Sequence, residues 1–167
     1  VFQTGLKEIG VSEDNVVASE AYSPNDTDFS VQLAKIKGLN PDALFIAGHY
    51  KEGALIARQA RELLLNAQIL GTDGIGHPEY IKVAGKAAEG TIYSGYFSLE
   101  DERPYIQQWA AEFKTKFGED PGLVEAIAND CVEITAKAIE IGGDNHQEIA
   151  TGLSSIGPDH PAVMGAL

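Results

Sequence analysis

Side chains that could bind a ligand follow two of the predicted β-strands. His49 and Tyr50 follow the predicted strand 42–47 after Gly48, and Asp73 comes shortly after the predicted strand 68–70. The carboxyl ends of parallel strands meet at one edge of a sheet, where ligands bind in open α/β folds, so we expect these three residues along one edge. A carboxylate about 4 Å from an ammonium group gains on the order of 4 kcal/mol at an effective dielectric of 20. The pattern indicates a site for a small polar ligand.

Each of these residues also has a structural alternative. Asp73 can cap a turn or the next helix, because aspartate side chains accept hydrogen bonds from nearby backbone N–H groups. His49 can be a surface loop residue, and Tyr50 can cover a crossover helix. The sequence alone leaves both sets of roles open.

The glycines of residues 71–76 are spaced G-x-x-G-x-G, which is neither the dinucleotide fingerprint nor a Walker loop. His77 and Pro78 stand where a phosphate-binding helix would begin. We therefore predict a sharp turn after the strand rather than a nucleotide site.

Catalytic and metal-binding patterns are weak. No G-x-S-x-G motif is present, and the histidines at positions 49, 77, 146 and 160 do not form an H-x-x-x-H pair. Cys131 falls on an apolar helical stripe, which predicts a buried and inert thiol. Asp130 lies beside it, either as a hydrogen-bonded structural acid or as a contact to a neighbouring domain. We expect no metal and no cofactor, and an enzyme is the third of three functional hypotheses.

The elements that would position these residues alternate between strand and helix, which predicts a parallel sheet flanked by helices with Rossmann-like or flavodoxin-like topology. The predicted strands are residues 16–22, 42–47, 68–70 and 91–96. The run 44–47 is apolar without alternation, as in a strand covered on both faces, so we place it centrally. A helix capped by Asp26 or Thr27 follows the first strand.

Helices dominate the rest of the prediction. Residues 52–65 form an amphipathic crossover helix whose apolar stripe includes Leu64. Two further helices are predicted to begin near Pro104 and Leu123, and a third, shorter helix is predicted over residues 145–153. A brief strand is predicted near Val163. The predicted apolar stripes of the two later helices are Ile106, Trp109, Ala110, Phe113 and Phe117, and Leu123, Ile127, Cys131, Ile134, Ala138 and Ile141.

Composition restricts the partners. The chain has 167 residues, with 25 acidic against 12 basic side chains and a net charge of -13, so it repels nucleic-acid phosphates and anionic membrane surfaces. We expect no nucleic-acid partner. The chain begins without Met, and we expect a processed or trimmed polypeptide whose parent protein carries a signal segment outside these residues.

Five short segments occur in an order that resembles the second lobe of type I periplasmic binding proteins, in particular the leucine/isoleucine/valine-binding branch of ABC transporters. They are YSPNDTDFS (22–30), NPDA (40–43), RQAR (58–61), ILGTDG (69–74) and AAEG (87–90). The resemblance implies two α/β lobes that close over a ligand. It assigns residues 1–97 to most of the second lobe, without its first strand, and residues 98–167 to the hinge crossover and a helical part of the first lobe.

The resemblance also implies a binding site. His49 matches a position where the family often has a ligand-contacting tyrosine, Tyr50 is the adjacent aromatic residue, and Asp73 matches the acid that receives an α-ammonium group. Val124 falls near an apolar contact from the other lobe. Asn129 and Asp130 occupy the place of a frequent Tyr-Asp pair, with asparagine substituting for tyrosine.

The implied function is extracytoplasmic solute binding for an ABC importer, with an amino acid or amide as ligand and permease subunits as partners. The implied location is the periplasm, or the cell surface through a lipid anchor. The alternative is a ligand-sensing domain of a receptor or an amide-responsive regulator. We expect a missing N-terminal lobe, or a second chain, to cover Trp109, Phe113, Ile127 and Ile134.

Overall fold

A computed structural model of the chain describes residues 2–157. The described residues divide into two compact units, one ending at Ser94 and the other beginning at Gly95. The strand expected near Val163 lies outside the described residues. None of the described helices is both long and apolar enough to cross a bilayer.

The first unit is an α/β unit in which helices alternate with short strands. Three single-turn 3-10 helices complete it, at Glu13–Asn15, Asp73–Ile75 and Gly85–Ala88. Its helices are α1 (Phe2–Glu8), α2 (Ser30–Gly38), α3 (Tyr50–Glu62) and α4 (Pro78–Ala84), and its strands are β1 (Ala43–Ile46), β2 (Gln68–Gly71) and β3 (Ile92–Tyr93).

The three strands form one parallel sheet in the order β1-β2-β3. Ala43 lies opposite Gln68 in the first pair, and Leu70 lies opposite Ile92 in the second. Helix α3 connects β1 to β2, and α4 lies between β2 and β3. The prediction of an α/β fold with a parallel sheet flanked by helices is confirmed.

Two strand predictions are wrong. Residues 16–22 contain neither helix nor strand, because a strand exists only where a neighbour completes its hydrogen-bond ladder, and no described strand pairs with them. Strand β1 was predicted to be central but lies at an edge of the sheet, because β2 is the only described strand that pairs with it. The fourth predicted strand shortens to Ile92–Tyr93.

Local hydrogen bonding moves two helix ends. Neither Asp26 nor Thr27 caps α2, which begins one residue after Phe29, and the Asp28 carboxylate instead accepts from the Ser30 N–H at 2.9 Å. Helix α3 ends at Glu62, and Leu64 adopts a positive φ of 59°. The Leu64 side chain is therefore 73% exposed rather than part of the apolar stripe.

Small residues let α3 pack closely on the sheet. Ala54, Ala57 and Ala60 are fully buried, and the core around them is completed by larger apolar side chains. Polar side chains of α3 hold the loop that precedes α2: Gln59 accepts from the Phe29 N–H and donates to the Thr27 carbonyl, both at 2.8 Å. These contacts fix the loop before α2 against α3.

The second unit is helical, with α5 (Pro104–Phe117), α6 (Leu123–Gly142) and α7 (His146–Ser155). Helices α6 and α7 are in close contact, since the carbonyl of Ala138 lies where a side chain at Gly152 would begin. The buried face of α6 carries Ala126, Asp130 and Ala138, which is rotated from the predicted stripe. Cys131 is consequently exposed, so the prediction of a buried thiol is wrong.

Aromatic side chains form a continuous row along α5. The rings of Phe97 and Trp109 are 5.7 Å apart, those of Trp109 and Phe113 5.6 Å, and those of Phe113 and Phe117 4.5 Å. Ile106 and Ala110 are buried, whereas Trp109 and Phe113 are half-buried and Phe117 is exposed. The predicted stripe of α5 is therefore present, with its aromatic part open to solvent.

Candidate functional site

The carboxyl ends of β1 and β2 bring His49, Tyr50 and Asp73 to the same edge of the sheet. The β1 loop leads through Gly48 into His49, which precedes the first turn of α3, and the β2 loop leads through Thr72 into the turn that starts at Asp73. The Thr72 hydroxyl lies 3.4 Å from the Gly48 carbonyl oxygen and donates to it. The two loops are thus joined directly at this edge.

Gly74 allows the closest approach between the two loops. The Gly48 carbonyl occupies the place that a side chain at Gly74 would take, and His49 Nδ1 lies 3.4 Å from that place. Any larger residue at position 74 would push the loops apart. The His49 imidazole and the Asp73 turn are therefore neighbours.

Asp73 is half-buried, and its carboxylate has no hydrogen-bond or ion-pair partner among residues 2–157. Thr72, not Asp73, holds the N-cap position of the turn, and the backbone carbonyl of Asp73 accepts from the Gly76 N–H at 2.9 Å. The capping alternative is therefore wrong for this side chain. A half-buried carboxylate without an internal partner is suited to receive a cationic group.

Tyr50 takes the structural role that the sequence left open for it. It packs against the hydrophobic core and stacks on His77, with ring centroids 4.1 Å apart and planes inclined by 14°. His77 in turn caps α4, because its Nδ1 accepts from the Glu79 N–H at 3.1 Å. The ring of Tyr50 is thus held in place from the side of the Asp73 loop.

His77 was not predicted as part of this edge, since histidine is not among the residues favoured at helix N-caps. Tyr93 was also missed: its ring lies where a side chain at Gly76 would begin, so it closes the same loop from β3. No local pattern marks that contact. It joins residues far apart in the sequence.

Tyr22 reaches the edge from the segment before α2. Its hydroxyl donates to the Ala47 carbonyl at 3.3 Å and fills the space beside Gly48. Burial, followed by the nearby negative charge of Glu52, raises the pKa of Tyr22. Glu52 is only 9% exposed and accepts from the Asn25 N–H at 2.9 Å, which lowers its pKa. Tyr22 is thus a neutral donor beside a carboxylate.

The other predicted residues belong to the second unit. Val124 is 60% exposed near the start of α6. Asp130 is 3% exposed, whereas the side-chain amide nitrogen of Asn129 is buried without a hydrogen-bond partner among residues 2–157. Burial and a 2.8 Å hydrogen bond to Glu133 raise the pKa of Tyr105 to about 12, with Asp130 adding to the negative field.

Within the described part of the chain, no group of three or more His, Cys, Asp and Glu side chains is arranged to hold a metal ion. The edge offers the Asp73 carboxylate, the imidazoles of His49 and His77, three tyrosine phenols and backbone groups. Such a set can bind and orient a small polar molecule.

Comparison with known proteins identifies similar chains over nearly the whole length. A family model described as "Periplasmic binding protein" matches residues 2–166. A Leu/Ile/Val-binding protein of Rhizobium johnstonii is 37% identical over 98% of this chain and 44% of its own length. A leucine-, isoleucine-, valine-, threonine- and alanine-binding protein of Pseudomonas aeruginosa is 29% identical over 80% of this chain and 35% of its own length.

Solved structures give the same result. A leucine-binding protein, LivK, from Thermotoga maritima has a TM-score of 0.86 and 30% identity, covering 99% of this chain and 46% of that structure. The substrate-binding protein LivJ of Streptococcus pneumoniae, solved with isoleucine, has a TM-score of 0.82 and 31% identity. The match covers 90% of this chain and 43% of that structure. The chain therefore spans less than half the length of each of these similar proteins.

Proposed function

The chain belongs to the periplasmic binding protein family, and we propose that the complete protein is the solute-binding component of an ABC importer. Its ligand in this proposal is a branched-chain amino acid or a related small zwitterion or amide. The names of the similar proteins support this class of ligand, because they are binding proteins for leucine, isoleucine and valine. No bond is made or broken in the proposed activity.

The observation that carries the proposal is the unpartnered, half-buried carboxylate of Asp73 at the carboxyl edge of the parallel sheet. In our proposal Asp73 receives the α-ammonium group of the ligand. A charge-assisted hydrogen bond of this kind contributes roughly 1.5–3 kcal/mol, a substantial part of the about 8 kcal/mol that micromolar affinity requires.

His49 and Tyr50 line the same edge and flank the ammonium position in the proposed complex. Val124 supplies an apolar contact from the second unit. We assign residues 1–97 to one lobe and residues 98–167 to the hinge crossover and part of the other lobe. Closure of two lobes over the ligand requires that the ligand bind the closed state better than the open one.

The proposed location is outside the cytoplasm, in the periplasm or at the cell surface through a lipid anchor, and the proposed macromolecular partners are permease subunits. The similar proteins support the extracytoplasmic assignment by their family description. The strong negative charge of -13 suits a carrier that does not adhere to anionic membrane surfaces.

A thermal-shift series on the complete gene product tests the ligand class. We expect L-leucine, L-isoleucine or L-valine to raise the melting temperature, because a ligand that binds only the folded state stabilises it. The deaminated acid 4-methylpentanoate, which lacks the ammonium group, and acetamide, which lacks both charged groups, serve as comparisons. No shift with any amino acid or amide would contradict the proposed function.

A further inference from the structure

The turn that carries Asp73 runs without a spare residue into helix α4. The Gly76 N–H donates to the Asp73 carbonyl at 2.9 Å. The His77 N–H donates to the Ile75 carbonyl at 2.8 Å, and α4 begins at the next residue, Pro78. The position of the Asp73 turn is therefore coupled to the position of His77 through consecutive backbone hydrogen bonds.

Two side chains anchor this segment. Ile75 is 1% exposed and occupies the place that a side chain at Gly71 would take, so it holds the middle of the segment against the end of β2. His77 holds the far end, since its ring stacks on Tyr50 at the start of α3. The Ile75 anchor is apolar and insensitive to pH, whereas histidine is the side-chain type whose charge changes near neutral pH.

The hydrogen bond that His77 makes requires a neutral imidazole. Its Nδ1 accepts from the Glu79 N–H at 3.1 Å, and a ring nitrogen that accepts a hydrogen bond carries no proton. Protonation turns both ring nitrogens into donors, so the imidazolium cannot cap α4. It also places a positive charge at the amino end of a helix, where the helix dipole disfavours cations.

The side chains on α3 and α4 that face His77 compensate little for such a charge. Tyr50 presents the face of its ring. The Glu79 carboxylate attracts an imidazolium, but Lys82 already pairs with Glu79 at 2.6 Å and offsets that attraction. The hydrogen bond from Lys82 is the main cause that lowers the pKa of Glu79, and charge on His77 contributes less.

Three further titratable groups lie along the same segment. Tyr93 of β3 packs at Gly76, and His49 Nδ1 lies beside Gly74. The third group is the carboxylate of Asp73, which has no ion-pair partner among residues 2–157. An imidazolium at position 77 therefore competes with the ligand's ammonium group for the negative charge of Asp73.

We propose that His77 is a positioning residue for Asp73 and holds the Asp73 turn in its ligand-binding geometry only while its imidazole is neutral. His77 acts here through the proposed function of Asp73, on which the inference rests. Protonation removes the cap of α4, releases the end of the turn and adds positive charge where a cation has to bind. All three effects weaken ligand binding as the pH falls.

Amide hydrogen exchange on the ligand-free complete protein tests the coupling without any ligand. The readout is the protection factor of the Gly76 amide, which donates to the Asp73 carbonyl, with the Ala57 amide inside α3 as the reference. We expect protection at Gly76 to fall about tenfold relative to Ala57 between about pH 7.5 and pH 5.5. His77→Asn keeps a capping acceptor that does not titrate and should hold the protection constant. A constant Gly76 protection in the wild type, or an equal loss in H77N, would overturn the inference.

Calorimetric titration with L-leucine measures the consequence for binding. Carboxyl and ammonium groups ordinarily keep their charge between about pH 7.5 and pH 5.5, so histidines are the groups that titrate in this range. We expect the dissociation constant of the wild type to rise about tenfold over this range, and that of H77N to change less than about threefold. A wild-type affinity that does not depend on pH would overturn the inference.

Two other histidine variants separate the possible sources of a pH dependence. His146 is exposed on α7, and His146→Asn should show the pH dependence of the wild type. A dependence that disappears in His49→Asn but persists in H77N would assign the effect to His49 and overturn the inference. If no amino acid binds, the proposed function fails, whereas the protection of Gly76 still decides whether His77 controls the Asp73 turn.

Discussion

At Gly48 the fold has no room for a side chain, because the Tyr22 hydroxyl fills that space. We predict that Gly48→Ala destabilises the protein by about 1–3 kcal/mol, the usual cost of overpacking. Tyr22→Phe alone loses one hydrogen bond, about 0.5–1.5 kcal/mol. Chemical denaturation of both single variants and the double variant measures their coupling. Tyr22→Phe should partly rescue Gly48→Ala, and strictly additive losses would contradict the contact.

Glu52 makes stability depend on pH. The Asn25 N–H bonds the Glu52 carboxylate and lowers its pKa in the folded state. A lowered folded-state pKa stabilises the protein above the unfolded pKa, about 4.3, and this contribution is lost as the pH falls through the folded value.

We therefore expect the free energy of unfolding to fall more steeply between pH 5 and pH 3, roughly the window set by that pKa, in the wild type than in Glu52→Gln. Urea denaturation at several pH values measures the slopes. Glu89→Gln, an exposed residue before β3, is the matched control and should follow the wild type. Parallel slopes for E52Q and the wild type would show that Glu52 is not the responsible group.

Individual side chains could be predicted where a simple rule links sequence to position. Strand ends place His49 and Asp73 at one edge, so their convergence followed from the order of elements. The contacts of Tyr22 with Ala47 and of Tyr50 with His77 join residues 25 and 27 positions apart. No periodicity predicts such contacts, because they depend on how loops fold over one another.

At the scale of elements, the start of α4 depends on one imidazole. His77 Nδ1 accepts from the Glu79 N–H, and Pro78 occupies the first turn. We predict that His77→Ala lowers the free energy of unfolding by about 0.5–2 kcal/mol through loss of the cap. His77→Asn should retain most of that stability, because asparagine is a favoured N-cap residue. Thermal or urea denaturation distinguishes them, and equal losses would assign the effect to the Tyr50 stack instead.

Helices and strands were predicted well where a local sequence pattern determines them. They were predicted poorly where contact with another element determines whether they form or which face is buried. β1, β2 and α3 follow from an apolar run, flanking turns and a helical stripe. Residues 16–22 did not become a strand because pairing requires a neighbour. The buried face of α6 carries Ala126, Asp130 and Ala138, so Cys131 and Ile127 lie outside it despite their helical spacing.

At the scale of the whole molecule, the second unit carries many apolar side chains that are exposed rather than buried in its core. Ile127 is 37% exposed and Val132 69%, and the aromatic row of α5 is half-open. Exposed apolar side chains that group into one patch mark an interaction surface in soluble proteins. We therefore keep the proposal that another part of the protein, or a second chain, covers Trp109, Phe113, Ile127 and Ile134.

Light scattering with intact mass measurement tests that proposal. We expect purified protein of only 17.8 kDa to self-associate, and Ile127→Glu to reduce the association. Glu140→Gln, an exposed change elsewhere on α6, is the control and should leave it unchanged. A monodisperse monomer with a measured mass of 17.8 kDa would contradict a covered face.

The central claim is that Asp73 at the carboxyl edge binds the ligand's ammonium group. Isothermal titration calorimetry of the complete protein with L-leucine, L-isoleucine and L-valine tests it most directly. We predict that Asp73→Asn weakens binding about tenfold to a hundredfold, equivalent to roughly 1.5–3 kcal/mol, and that Asp73→Ala weakens it further. Glu89→Gln removes the same charge elsewhere and should bind normally. Unchanged affinity in Asp73→Ala would remove Asp73 from the site and contradict the account.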